Sequence, residues 1–141
     1  PRRGKRFVSR KITASAAGVY CGRQPHLELG SLSARRDWGY APDYVRAAHA
    51  MLQSTTPQDY VVATGVLHTV QEMVDYAFSY LGLRASDYIR VNPDFVRPDE
   101  KIPLQGDFSK IRSELGWMPQ KSFREMIEEM VENDLRLLEQ E

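Results

Sequence analysis

Only three stretches of this chain carry a strand-like pattern, and all are short: residues 26–30, 60–65 and 88–91. Three or four strands of that length make a poor sheet, because edge strands need neighbours. Helix signals fill most of the remainder. Phe7 to Cys21 places Val8, Ile12, Ala16 and Tyr20 at four-residue spacing, with Gly22 as the stop. A second helix is expected from Pro42 to Gln53, with proline in its first turn and an apolar stripe of Val45, Ala48, Met51 and Leu52. Thr69-Val70-Gln71-Glu72 is a capping box opening a helix that buries Val70, Met73, Val74, Ala77 and Phe78 and ends at Gly82. Asp107 can cap a short helix closed by Gly116, and Ser122-Phe123-Arg124-Glu125 is a second capping box. The helix it starts turns Phe123, Ile127, Met130 and Leu138 inward. Tyr60 to Gly65 reads as a buried strand ending in a glycine turn. The fold class that follows is helix-rich α/β, with about five helices and partner strands expected outside the chain.

Composition narrows the function. The chain has 141 residues and a formal net charge of zero, but the charges are partitioned. Residues 1–36 hold nine basic side chains against one acid, Glu28, and the remaining residues carry the opposite excess. A uniformly basic nucleic-acid binder and an acidic disordered tail are both disfavoured; a cationic end that meets an anionic ligand or an internal partner remains. The acidic run Glu125, Glu128, Glu129, Glu132 and Asp134 reads first as a solvated face, and second as a partner for that basic end. Cys21 is the single cysteine, which leaves no intrachain disulfide and no cysteine-based zinc site. No apolar run reaches the roughly 18 residues of a membrane span, and residues 1–6 lack the apolar region of a secretory signal. A cytoplasmic setting is therefore expected. The chain opens on Pro1 rather than methionine, so a natural neighbour is expected to precede it.

Catalytic motifs are missing. Neither Gly-x-Gly-x-x-Gly nor Gly-x-x-x-x-Gly-Lys occurs, so neither common phosphate-cradling loop is present. None of the seven tyrosines has a lysine four residues later, which removes the phenol–ammonium pair used in hydride transfer. His26, His49 and His68 are dispersed without carboxylates at metal-ligand spacing. No catalytic residue and no metal site are expected.

Three arginine-bearing segments point instead to binding. Arg2-Arg3-Gly4 leads into a helix bearing Arg10 and Lys11, where backbone amides and guanidiniums favour an anion; a solvated basic terminus is the alternative. Ala34 to Tyr40 contains Arg36-Asp37-Trp38-Gly39, which suggests either a held guanidinium or a salt bridge propping a turn. Phe95-Val96-Arg97-Pro98-Asp99-Glu100 sets a cation and an acid three residues apart on a proline-stiffened backbone. Such a pair could grip a phosphate and a sugar hydroxyl, or be an exposed loop.

These segments together resemble a known family. Pro1-Arg2-Arg3-Gly4, Phe7-Val8-Ser9-Arg10-Lys11-Ile12, Arg36-Asp37-Trp38-Gly39, Asp43-Tyr44-Val45, Ala63-Thr64-Gly65, Arg97-Pro98-Asp99-Glu100, Gly106-Asp107 and Leu115-Gly116-Trp117-Met118-Pro119 are similar, in order, to the C-terminal part of the GDP-mannose 4,6-dehydratases. The last of these recurs across extended short-chain dehydrogenase/reductases that act on nucleotide sugars; the Phe-Val-Ser-Arg-Lys-Ile and Arg-Asp-Trp-Gly segments are more particular.

The resemblance implies that residues 1–141 are one C-terminal nucleotide-sugar-binding region, with the N-terminal Rossmann half absent from the chain. It implies a lyase that turns GDP-mannose into GDP-4-keto-6-deoxymannose plus water through transient oxidation at C4 by NADP, a step toward GDP-fucose. The chain alone is then expected to be inactive, because the catalytic residues belong to the other half. By the same resemblance Arg3 lies near NADP. Val8 and Lys11 contact GDP, Leu29 and Gly30 flank the base, Arg36 and Arg97 hold the diphosphate, and Glu100 holds the ribose. The chain departs from the family pattern at Arg6, Asp99 and Ile102-Pro103. The full-length protein is expected to be a homo-oligomer, dimer or tetramer, with no nucleic-acid or membrane partner. A related GDP-sugar reductase or nucleotide-sugar epimerase is the alternative enzyme. A stand-alone anion or nucleic-acid binding module using Arg2, Arg3, Lys5, Arg6, Arg10 and Lys11 is the non-enzyme alternative.

Overall fold

The computed structural model describes residues 1–96 and 104–140. Among them the chain runs α1 (Val8–Tyr20), β1 (Leu27–Leu29), β2 (Arg35–Arg36), α2 (Ala41–Gln53), β3 (His68–Thr69), α3 (Val70–Tyr80), β4 (Ile89–Val91), α4 (Ser109–Leu115) and α5 (Phe123–Glu139). Single 3₁₀ turns occupy Ala85–Asp87 and Pro93–Phe95. The strands pair two by two, β1 with β4 and β2 with β3. The described residues divide into two compact units, one of 1–34, 69–96 and 124–140, the other of 35–68 and 104–123.

The first unit is built on α1 and α3. α1 buries Ile12, Ala16 and Ala17 completely, and the small alanines allow close approach of α3, whose Met73, Val74, Ala77 and Phe78 are equally inaccessible. The Thr69 capping box forms as its sequence requires: Thr69 Oγ1 accepts from the Glu72 amide at 3.0 Å, and Glu72 Oε2 accepts from the Thr69 amide at 2.6 Å. The expected stop glycines Gly22, Gly82 and Gly116 all take positive φ. β1 runs parallel to β4 with Leu27 opposite Ile89 and Leu29 opposite Val91. α5 closes this core with Met126, Ile127, Met130 and Val131, while Leu138 is only half-buried. Its acidic run is not wholly a solvated face. Asp134 is 3% exposed and pairs with Arg10.

The second unit centres on Ala47 of α2, Ile111 of α4 and Trp117, with Tyr44, Met51, Tyr60, Val62, Phe108 and Leu115 packed around them. Two expectations are corrected here. Residues 60–65 form no strand: the amides of Thr64 and Gly65 donate to the Asp37 carboxylate at 3.0 and 2.9 Å, so a side chain takes the place of a neighbouring strand. The stripe on α2 is also rotated. Val45, Ala48 and Leu52 face solvent, and Asp43 and Ala47 are the buried residues. Asp43 sets that rotation. Its carboxylate accepts from the Gln120 and Lys121 amides at 2.9 and 3.1 Å and from Arg46 at 2.7 Å, and its carbonyl accepts from Trp117 Nε1 at 2.8 Å. Hydrophobicity alone cannot see this, because a buried acid satisfied by backbone amides outranks two valine- or leucine-sized contacts.

Burial pushes the Asp43 carboxyl up, but Arg46 and the two amides outweigh it, leaving the group below its ordinary carboxylate value. A depressed folded pKa contributes stability above the unfolded value of about 3.9 and loses it as pH falls through the folded value. Asp43→Asn in the intact protein is therefore expected to lower the thermal midpoint at pH 7. It should also flatten the fall in stability between about pH 4 and pH 2. Melting curves across that range, read beside the unsubstituted protein, check both.

Candidate functional site

The carboxyl ends of parallel strands are where α/β sheets expose backbone groups to ligands, and in the first unit that edge is formed by Leu29-Gly30 and Val91-Asn92. Leu29 is buried and its carbonyl accepts from the Asn92 amide at 2.8 Å, which carries the ladder past β4. The chain then makes the 3₁₀ turn Pro93–Phe95, capped by Asn92, whose side-chain oxygen accepts from the Asp94 amide at 3.0 Å. This turn brings the Phe95 carbonyl against Gly30, so closely that a Cβ at position 30 would overlap it. Glycine is required there for the approach rather than for an unusual φ.

Lys11 reaches the same edge from α1, its Nζ 4.7 Å from the Phe95 ring centroid. Val8, three residues earlier, lies on the same helical face. Below them Glu28 accepts from Asn92 Nδ2 at 3.1 Å and faces His26 Nε2 at 3.5 Å. The Asn92 and His26 contacts hold its carboxyl below the usual range. The edge therefore offers an ammonium, an exposed aromatic face and free backbone at Gly30, a set suited to a flat, anionic ligand.

Four of the residues singled out by sequence thus share this corner: Val8, Lys11, Leu29 and Gly30. Arg3 belongs to the same unit, with its guanidinium 3.9 Å above the Phe7 ring. Arg36 belongs to the second unit, where Nη1 donates to the Arg35 carbonyl at 2.8 Å. Arg97 and Glu100, with Asp99 and Ile102-Pro103, lie outside the described residues.

Two readings of the arginine segments change. Asp37 does not serve mainly as a guanidinium holder, since both its oxygens accept from the loop, including the Thr64 hydroxyl and the Gly106 amide. Trp38 stacks on Phe123 at 5.6 Å, and His68 stacks on Phe123 at 4.0 Å. Arg10 is not an anion-facing cation, because it is 6% exposed and bonded to Asp134. Phe95 and Asn92 went unnoticed in sequence. A glycine at the end of one strand and a Pro-x-Phe turn after its partner was the available signal, but the pairing of β1 with β4 had to be known first.

A family model described as GDP-mannose 4,6 dehydratase matches residues 1–130. The chain belongs to the GDP-mannose 4,6 dehydratase family. It is 49% identical over its whole length to GDP-mannose 4,6 dehydratase 2 of Arabidopsis thaliana and covers 38% of that protein. It is 41% identical to the GDP-mannose 4,6 dehydratase of Drosophila melanogaster, with 98% of this chain and 39% of that protein covered. The chain thus spans about two-fifths of the length of these curated relatives. In fold it is similar to RMD from Pseudomonas aeruginosa complexed with NADPH, at 18% identity and a TM-score of 0.87 over 97% of this chain and 45% of that one. No helix among the described residues is long and apolar enough to cross a membrane.

Gly30→Ala is expected to push the Pro93–Phe95 turn off β1, at a cost of about 1–3 kcal/mol for overpacking. Chemical denaturation of the intact protein measures the loss, and an unchanged midpoint contradicts the close approach.

Proposed function

We propose that residues 1–141 are the nucleotide-sugar-binding region of an NADP-dependent GDP-mannose 4,6-dehydratase, a lyase that converts GDP-mannose to GDP-4-keto-6-deoxymannose and water. The observation that carries this reading is the family match over residues 1–130. The corner made by α1 and the β1–β4 edge supports it chemically.

In this reading the Lys11 ammonium neutralises charge on the GDP portion, with Val8 beside it. Leu29 and Gly30 present backbone to the base. Arg36 and Arg97 hold the diphosphate and Glu100 the ribose hydroxyls. Bidentate guanidiniums suit a diphosphate because their paired N–H groups match its oxygens. Binding of this kind orients the sugar; proton and hydride chemistry is assigned to the part of the protein beyond this chain.

The structurally similar Pseudomonas aeruginosa protein is described with NADPH, and a nicotinamide cofactor enters this proposal with NADP as its specific form. Arg3 fits a phosphate-bearing cofactor. Its guanidinium is exposed and braced on the Phe7 ring, so a cation is held in place while still open to an anion. The bound nicotinamide would supply the hydride acceptor.

Full-length protein supplied with NADP and GDP-mannose should release GDP-4-keto-6-deoxymannose, identified by mass and by the carbonyl. A reduced or epimerised sugar would instead assign the reductase or epimerase reading, and no product at all overturns the proposal. Lys11→Ala should weaken GDP binding about tenfold to a hundredfold, the worth of a hydrogen bond to a charged group at about 1.5–3 kcal/mol. Titration with GDP alone reads that change without the chemistry.

A further inference from the structure

We infer that Arg10 and Asp134 are positioning residues for Arg3: a buried ion pair, reaching from α5 through α1, shapes the backbone of the first three residues and so sets where the Arg3 guanidinium stands. This deepens the proposed function and rests on its reading that Arg3 faces NADP.

A buried guanidinium must satisfy five N–H donors. Arg10 directs Nε and Nη2 at Asp134 Oδ1, at 2.7 and 2.6 Å. Its third nitrogen, Nη1, turns the other way and donates to the backbone carbonyls of Pro1 and Arg3, the latter at 3.1 Å. Asp134 Oδ2 accepts from the Thr13 hydroxyl at 2.7 Å, one turn along α1 from Arg10. One side chain thus grips two carbonyls of a segment that has no helix or strand of its own. The Phe7 amide donates to the Gly4 carbonyl at 3.1 Å, and the Arg3 guanidinium lies on the Phe7 ring. The backbone of residue 3 is therefore held by Arg10, and its tip by Phe7.

Stability alone is a weak reason for such a pair. Removing two charges from water costs several kcal/mol, and well-packed apolar residues often serve as well. The geometry has a use that apolar residues could not supply, because they offer no donors to the Pro1 and Arg3 carbonyls. Lysine at position 10 would keep a charge for Asp134 but is a single point donor, without the planar fork that spans carboxylate and carbonyls.

The test uses full-length protein and two titrations, NADP and GDP, on Arg10→Lys, Arg3→Ala, their double variant and Thr13→Val. Arg10→Lys should raise the NADP dissociation constant about tenfold while GDP binding stays within about twofold. The double variant should bind NADP no more weakly than Arg3→Ala, since both changes act through one guanidinium. Thr13→Val should lower the melting midpoint without moving NADP affinity. Should Arg10→Lys not fold, Asp134→Glu keeps both charges, shifts the pair by one methylene and is expected to weaken NADP in the same direction. A folded Arg10→Lys, or its Asp134→Glu substitute, that binds NADP like the unsubstituted protein overturns the inference while Arg3→Ala still weakens it. An Arg3→Ala with normal NADP affinity overturns the reading of Arg3, and the inference with it.

Discussion

The first unit depends on a charge pair taken out of water. Arg10 and Asp134 come from opposite ends of the sequence, and both are nearly inaccessible. Their cost is met by saturation: each nitrogen of the Arg10 guanidinium has an oxygen, and Asp134 receives the Thr13 hydroxyl as well. Around this polar centre the apolar faces of α1, α3 and α5 supply the area that stabilises the unit, while the pair supplies direction. The second unit repeats the device with Asp43, whose oxygens gather the Gln120 and Lys121 amides and hold α2 at one rotation. Asp37 does the same for the Thr64–Gly65 loop. Buried or half-buried carboxylates thus stand in for a sheet that four strands of two or three residues cannot provide.

The candidate site follows from that economy. β1 and β4 are three residues each, so nearly all of the parallel ladder is edge, and its carboxyl end stays available. Gly30 admits the Phe95 carbonyl, Phe95 offers a face to Lys11, and Asn92 locks the turn between them. A nucleotide needs this combination of backbone, aromatic face and cation. The family match lends those groups a substrate class.

Local signals read well from sequence. The capping box at Thr69, the glycine stops and all five buried residues expected on α3 agree with the structure, because each depends on neighbours within a turn or two. Long-range choices read poorly. The α2 stripe was misjudged because Tyr44, Ala47 and Met51 are as apolar as Val45 and Leu52, and the deciding contact comes from residues 120–121. Residues 60–65 had strand composition but found Asp37 instead of a strand.

Sequence by itself determined the family, the helical periodicity, the absence of catalytic and phosphate-loop motifs, and a basic opening segment that needed anions. Tertiary structure alone decided how that basic segment is divided: Arg10 is buried against Asp134, Lys11 turns to Phe95, and Arg3 stays exposed on Phe7. The physical reason is distance along the chain. Charge and spacing are local properties, whereas a guanidinium's role depends on which acceptor reaches it, and for Arg10 that acceptor lies 124 residues away.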